Sequence, residues 1–174
     1  MEYGLTELLS NLDLEYYCHK LNIKLNAILS KDLLKSHKPQ LGCYVINLQD
    51  STAGGGTHWV ACILFKCTII YFDPFGVPPP TEFVAFARRF KKQQPNPSSL
   101  KIIYSVDKIQ DLDSVYCGWF CLYFLIYMTR NKCNDKKKSV LLNLHNAQYD
   151  KQNEKKNDLL IKQFIQEIFS NLIT

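Results

Sequence analysis

Two apolar runs separated by two residues constrain this chain more than any other feature. Thr57 to Phe65 and Thr68 to Phe72 are rich in β-branched and aromatic residues, and the intervening Lys66-Cys67 is short enough for a hairpin. Neither run alternates with polar residues, so both of its faces are expected to be covered and the pair to lie at the centre of a sheet. The limits of the hairpin are also marked. Gly54-Gly55-Gly56 is costly to order in any regular element, and Asp73-Pro74-Phe75-Gly76 carries strong turn chemistry. Pro78-Pro79-Pro80 then prevents continuation.

The rest of the chain supplies partners for that hairpin. Residues 5–35 place leucines and isoleucines at mixed helical spacings and predict one or two short helices. Cys43 to Leu48 reads as a strand. Thr81 is expected to cap a helix with Phe83, Phe86, Ala87 and Phe90 on one face, which should lie on the sheet, and Arg88, Arg89, Lys91 and Lys92 opposite or at its end. Leu100 to Val106 predicts another strand. Cys117 to Met128, apolar all round, predicts a buried helix. Asn157 is expected to cap a last helix that presents Ile161, Phe164, Ile165, Ile168, Phe169 and Leu172. This order lacks the regular βα alternation of a doubly wound fold, so an α+β class is expected, with residues 1–174 forming one domain.

Composition narrows the function classes. No apolar stretch reaches the roughly eighteen residues of a membrane span, and the opening MEYGLTELLS lacks the basic-then-apolar order of a secretory signal. A soluble, non-secreted protein without a membrane partner is expected. Seven scattered cysteines without a Cys-x-x-Cys pair fit reduced thiols in a cytosolic setting and predict no metal site. Cys43, Cys62 and Cys67 read as small buried hydrophobes. Charge is uneven: residues 1–80 hold 6 basic and 7 acidic side chains, residues 81–174 hold 15 and 9. The excess hints at an anionic partner such as nucleic acid, although Lys136-Lys137-Lys138 and Lys155-Lys156 flank loop-like segments and read more simply as solvated charge.

One group of residues carries chemistry. Cys117 stands at the predicted start of the buried helix, where unpaired N–H groups and the macrodipole stabilise a thiolate. Gly118 leaves room for a substrate backbone, and Cys121, one turn on, is placed for packing. A thiolate nucleophile needs a basic partner, and that partner needs an orienting group. Among the histidines, His58 alone sits beside the glycine run, at the head of a strand. A hairpin turning near Lys66 brings Thr57-His58 and Phe72-Asp73 together at its open end, where Asp73 can fix the imidazole tautomer.

The series Gly55-Gly56-Thr57-His58-Trp59, Phe72-Asp73-Pro74-Phe75-Gly76, Gln110 and Cys117-Gly118-Trp119-Phe120-Cys121 resembles the adenovirus maturation protease (adenain) family, found also in virophages and Polinton-type elements. The order His, Asp, Gln, Cys is shared with ubiquitin-like-protein proteases of the same clan, whereas papain-type enzymes place the Cys first. The seven-residue spacing from Gln110 to Cys117 and the Pro-Phe-Gly after Asp73 are similar to adenain. The resemblance implies a permuted papain-like α+β fold with a central mixed, mainly antiparallel sheet and flanking helices. It makes Cys117 the nucleophile, His58 the base, Asp73 the orienting acid, and Gln110 with the Cys117 N–H the oxyanion donors. Trp59, Gly56 and Gly118 fall near the site.

What such a protease does is likewise implied by the resemblance: cleavage of viral capsid precursors after small, Gly-rich residues, in the virion and host cytoplasm, by a monomer. No cofactor is required for the chemistry, but adenain is activated by DNA and by a viral peptide joined through a disulfide. The matching cysteine position is Ser99 here, which argues against covalent activation. Asp73 replaces the Glu of adenain and leaves the role intact. Two rival readings share the motif set: a ubiquitin- or SUMO-directed isopeptidase (with acetyl transfer a weaker relative), and a non-catalytic DNA-binding packaging protein on a protease scaffold.

Overall fold

Side chains of a strand alternate between faces, and the computed structural model, which describes residues 8–54, 57–130, 149–150 and 152–173, shows both faces of the predicted hairpin buried. Strands β3 (Trp59–Leu64) and β4 (Thr68–Phe72) pair antiparallel with Ala61 opposite Phe72 and Leu64 opposite Ile69. The Phe65 N–H donates to the Thr68 carbonyl at 2.8 Å, closing the turn at Lys66-Cys67. Trp59, Ala61, Ile63, Ile70 and Phe72 enter one core, and Val60, Cys62, Leu64, Ile69 and Tyr71 enter a second core across the sheet.

Among the described residues five strands stand in the order β1 (Leu25–Ser30), β2 (Gly42–Asn47), β3, β4 and β5 (Lys101–Tyr104). Strand β2 pairs antiparallel with β3, while the edge strands β1 and β5 add in parallel to β2 and β4. The sheet is therefore mixed, with an antiparallel centre.

Helix α1 (Asn11–Lys20), helix α3 (Cys117–Arg130) and helix α4 (Glu154–Ile173) cover one face. Helix α2 (Thr81–Lys92) covers the other through Phe83, Phe86, Ala87 and Phe90. Tight aromatic packing joins α3 to the sheet: the Phe124 and Phe72 rings stack with centroids 4.5 Å apart. Such a pair contributes about 0.5–1.5 kcal/mol beyond the area it buries. No helix among the described residues is long and apolar enough to cross a membrane.

Several local expectations change. Within residues 8–35 the expected short helices are α1, held by a capping box between Ser10 and Asp13, and one 3-10 turn over Lys31–Lys35. The stretch between them is β1, because Asn22 at φ 55 breaks the helical path and pairing with β2 outweighs a weak helical pattern. Pro80, not Thr81, occupies the cap position of α2, and no side-chain capping bond is made there. Asn153 caps α4, its Oδ1 accepting the Lys156 N–H at 3.0 Å, so Asn157 lies inside the helix and not at its cap. Lys155 and Lys156 consequently belong to the first turn of α4, not to a loop. Cys67 is exposed because it sits in the turn and not in a strand. Lys136, Lys137, Lys138 and Cys133 lie outside the described residues.

Gly76 shows why the Asp-Pro-Phe-Gly turn ends in glycine. Its φ is 68°, and a Cβ built there would meet the Asp107 carbonyl carbon at 2.7 Å and the Lys108 nitrogen at 2.9 Å, both backbone atoms that cannot swing aside. Gly76→Ala should therefore cost about 2 kcal/mol or more, the left-handed penalty plus displacement of the 107–108 backbone. Thermal denaturation against wild type checks this, and an unchanged Tm would contradict the packing described.

Candidate active site

The register of β3 and β4 decides which residues meet at their open end. His58 immediately precedes β3, and its carbonyl accepts the Leu48 N–H at 2.9 Å, which ties it to the end of β2. Asp73 immediately follows β4. The His58 Nε2 lies 2.8 Å from Asp73 Oδ1, with the Asp73 side chain 0% and the His58 side chain 14% exposed. The expected meeting of these two residues is thus present.

Each residue of the following turn has an identifiable task. Asp73 Oδ1 also accepts the Phe75 N–H at 2.8 Å, and the Gly76 N–H reaches the Asp73 carbonyl at 2.9 Å. The Phe75 ring stacks on the imidazole of His58 at 4.6 Å and 22°, restricting its rotation. The Pro74 carbonyl accepts both the Ile109 N–H at 2.9 Å and the Gln110 N–H at 3.1 Å, using both of its lone pairs. Ser105 secures the turn from the far side: its hydroxyl accepts from the Asp73 N–H at 3.3 Å and donates to the Asp73 carbonyl at 3.2 Å.

Cys117 enters from the opposite direction. The Phe120 N–H donates to the Tyr116 carbonyl at 2.9 Å, so Tyr116 is the cap of α3 and Cys117 its first helical residue. At that position a backbone N–H has no intrahelical acceptor, and the positive end of the helix dipole faces the thiol. The Cys117 thiol comes within electrostatic reach of the His58 imidazole. Because Nε2 is occupied by Asp73, Nδ1 is the ring nitrogen left for a thiol. The imidazole thus stands between a carboxylate that it binds and a thiol that acts on it.

Electrostatics follow from that arrangement. Burial works against a charged imidazole at His58, but the Asp73 hydrogen bond and the nearby Cys117 thiol, with the charges of both, outweigh it and raise its pKa to about 9. Burial pushes four other thiols up: Cys18 to about 12, Cys43 to about 11, and Cys62 and Cys121 well above the ordinary thiol range. Cys121, on the same helix one turn beyond Cys117, is fully buried among apolar side chains.

Gln110 sits on the loop leading into α3 and is completely buried. Its Nε2 donates to the Ser114 carbonyl at 2.9 Å and approaches the Ser114 hydroxyl at 3.4 Å. Through Pro74 its backbone shares a frame with Asp73. Trp59 is buried and donates from Nε1 to the Leu9 carbonyl at 2.8 Å, a core and anchoring role. Gly118 faces the same segment: a Cβ on it would meet Leu9 Cβ at 3.1 Å and Leu9 Cδ1 at 3.2 Å, so its lack of a side chain admits Leu9. Gly56 lies outside the described residues.

Sequence reasoning missed the stacking of Phe75, which stood in the quoted motif without a role, and the supports Ser105, Ser114 and Leu9. Isolated serines and a leucine carry no spacing signal. Only tertiary contact reveals them.

Comparison with known proteins bears on the family and the fold. A protease of bovine adenovirus 2 is 29% identical over 98 residues, which are 51% of this chain and 46% of that protein. The match thus spans about half the length of that relative. In three dimensions the chain is similar to a crystal structure of an ASFV protease, with a TM-score of 0.54 and 19% identity over 75% of this chain and 61% of the other. At that identity the likeness concerns the fold. The model of the family described as adenovirus endoprotease matches residues 31–172, from the turn that follows β1 almost to the end of α4. Since that match takes in four of the five strands, the His58–Asp73 pair and the helix that begins at Cys117, this chain belongs to the adenovirus endoprotease family.

Proposed function

We propose that the chain is a viral cysteine endopeptidase in which Cys117 attacks, His58 transfers the proton, Asp73 orients the imidazole, and Gln110 with the Cys117 N–H holds the oxyanion. The observation that carries this reading is the buried pair in which Asp73 binds His58 Nε2 at 2.8 Å, with the Cys117 thiol, at a helix start, within electrostatic reach of the same imidazole. Membership of the adenovirus endoprotease family supports it.

The chemistry balances on these residues. The Cys117 sulfur adds to the scissile carbonyl carbon, and the π pair moves to the oxygen, where the Cys117 N–H and Gln110 Nε2 donate. His58 Nδ1 gives its proton to the leaving nitrogen, the C–N bond breaks, and a thioester remains. Neutral His58, its remaining proton held on Nε2 by Asp73, then takes a proton from water as the oxygen attacks. Collapse expels the thiolate and restores the pair. A neutral amide such as Gln110 can donate to the oxyanion without competing as a base.

The natural substrates in this reading are capsid precursors cut after small, Gly-rich residues. Co-expression of candidate precursors with wild type and with Cys117→Ala should give processing by wild type alone. Equal processing, or none of any precursor by wild type, would sink the maturation role.

Protonation sets the pH range. His58 holds its proton well above an ordinary imidazole, so the stability it contributes is complete below pH about 6.5 and is lost as pH rises through about 9. The active pair should disappear over the same upper range. kcat/KM should fall above pH about 9, and the Tm of wild type should decline between pH about 6.5 and 9 more than that of His58→Gln. Parallel Tm profiles in the two proteins would remove the pair from the account.

Recognition of a folded ubiquitin-like protein needs about 800 Å² on each partner, whereas a maturation protease needs only the extended segment around its cut. Peptides of about eight residues containing Gly-Gly or Gly-Ala should be cut at a rate near that of a folded protein carrying the same segment. Rapid cleavage of a SUMO or ubiquitin conjugate with negligible cleavage of every peptide would favour the isopeptidase. Adding duplex DNA or a viral peptide to the same assay reads activation directly; on α2, Arg88 and Lys92 are exposed, while Arg89 and Lys91 are engaged with the backbone carbonyls of Leu34, Lys35 and Leu100.

A further inference from the structure

A buried asparagine on the last helix is fully engaged with the loop that carries Gln110. Asn157 is 1% exposed, and both N–H donors and the carbonyl oxygen of its amide are engaged. Its Nδ2 donates to the Ile109 carbonyl at 2.9 Å and to the Asp150 carbonyl at 2.7 Å, and its Oδ1 accepts the Asp150 N–H at 2.7 Å. The Ile109 carbonyl belongs to the peptide unit that leads directly into Gln110. The N–H of that same unit donates to the Pro74 carbonyl at 3.1 Å. One peptide plane is thereby pinned at both ends, to the residue after Asp73 on one side and to α4 on the other.

Neighbouring contacts of α4 fall on the same loop. Glu154 meets Lys108 at 3.1 Å, Lys162 lies over the Tyr116 ring at 5.5 Å, and Asp158 comes within electrostatic reach of Ser114, the residue on which the Gln110 amide leans. The first two of these involve exposed or part-exposed charges and fix little. The Asn157 bond is buried and neutral, and its loss would strand the Ile109 carbonyl without a partner.

We infer that Asn157 is a positioning residue for the oxyanion site: by holding the Ile109–Gln110 peptide against Pro74, it keeps the Gln110 amide in register with Asp73 and with the start of α3. This rests on the proposed endopeptidase reading. A Gln side chain has three rotatable bonds, so its Nε2 is placed only as well as its backbone and its Ser114 contact are placed. Preorganised donors stabilise an oxyanion because they need no rearrangement when charge develops. Asn157 acts on that preorganisation and touches neither the nucleophile nor the base.

The test separates this role from general support of the fold. Peptide turnover and the rate of Cys117 alkylation by iodoacetamide are measured for wild type, Asn157→Ala, Gln110→Ala and the double variant, each normalised to folded sites by titration of Cys117. Asn157→Ser, which keeps a small donor, serves where Asn157→Ala folds poorly. Loss of one oxyanion donor costs about 10²–10³ in kcat, so loosening one should lower kcat about ten-fold or more, with KM nearly unchanged. Alkylation forms no oxyanion, and its rate should stay at the wild-type value. In the Gln110→Ala background, the Asn157 substitution should have no further effect on kcat. Wild-type kcat in both Asn157 variants, an equal loss of turnover and alkylation, or a full additional loss in the double variant would each overturn the positioning role. Gln110→Ala with wild-type kcat would also overturn it while the protease reading stands, provided that Cys117→Ala is inactive. Absence of Cys117-dependent turnover in wild type would remove both.

Discussion

A carboxylate completely removed from water at the end of β4 is the constraint on which the rest of the site depends. An isolated buried charge is very unfavourable, so Asp73 must be met by donors held in place. One is the Phe75 N–H, supplied by the turn itself, and the other is His58, supplied by the neighbouring strand. Because both bonds end on Oδ1, a change in the register of β3 against β4 would break the stronger of them. The hairpin and the His58–Asp73 pair therefore stabilise one another, and the sheet's register becomes part of the chemistry.

From that turn the constraint spreads outward. Pro74 cannot donate, but its carbonyl binds two successive N–H groups of the loop before α3, and Gly76 allows that loop to approach within contact of the turn. The loop in turn fixes where α3 begins. Leu9 and Trp59 support the same end of the helix, since the Trp59 indole holds the Leu9 carbonyl and Gly118 makes space for the Leu9 side chain. Cys117 is thus placed by three separate segments. Cys121 is the internal contrast: on the same helix but one turn deeper, it has burial without an imidazole, which drives its thiol toward the neutral form.

Much of this was legible in the sequence because the signals are local. Continuous burial of β3 and β4, the two-residue turn between them and the glycine-proline punctuation around them all follow from neighbouring residues. So does the buried character of α3. The readings that changed were those in which local preference is weak. Leu25–Ser30 has no strong pattern and became a strand through pairing with β2. Thr81 lost the cap of α2 to Pro80, and Asn157 left the cap of α4 to Asn153, because a capping type of residue near a helix start does not specify the register of the first turn. Asn157 proved more informative in its actual place, buried against the Ile109 carbonyl.

The sequence by itself determined which residues could carry the chemistry, since a Cys at a helix start, a His at a strand head and an Asp in a turn are each recognisable from a few neighbours. It also determined that the hairpin is central, because apolar runs without alternation need cover on both faces. Only the tertiary structure decided that Asp73 binds Nε2, that Phe75 stacks on the imidazole, and that Gly118 serves Leu9. Those outcomes depend on distances between segments tens of residues apart, and such distances are set by how the sheet, its helices and the connecting loops pack together, which no local pattern encodes.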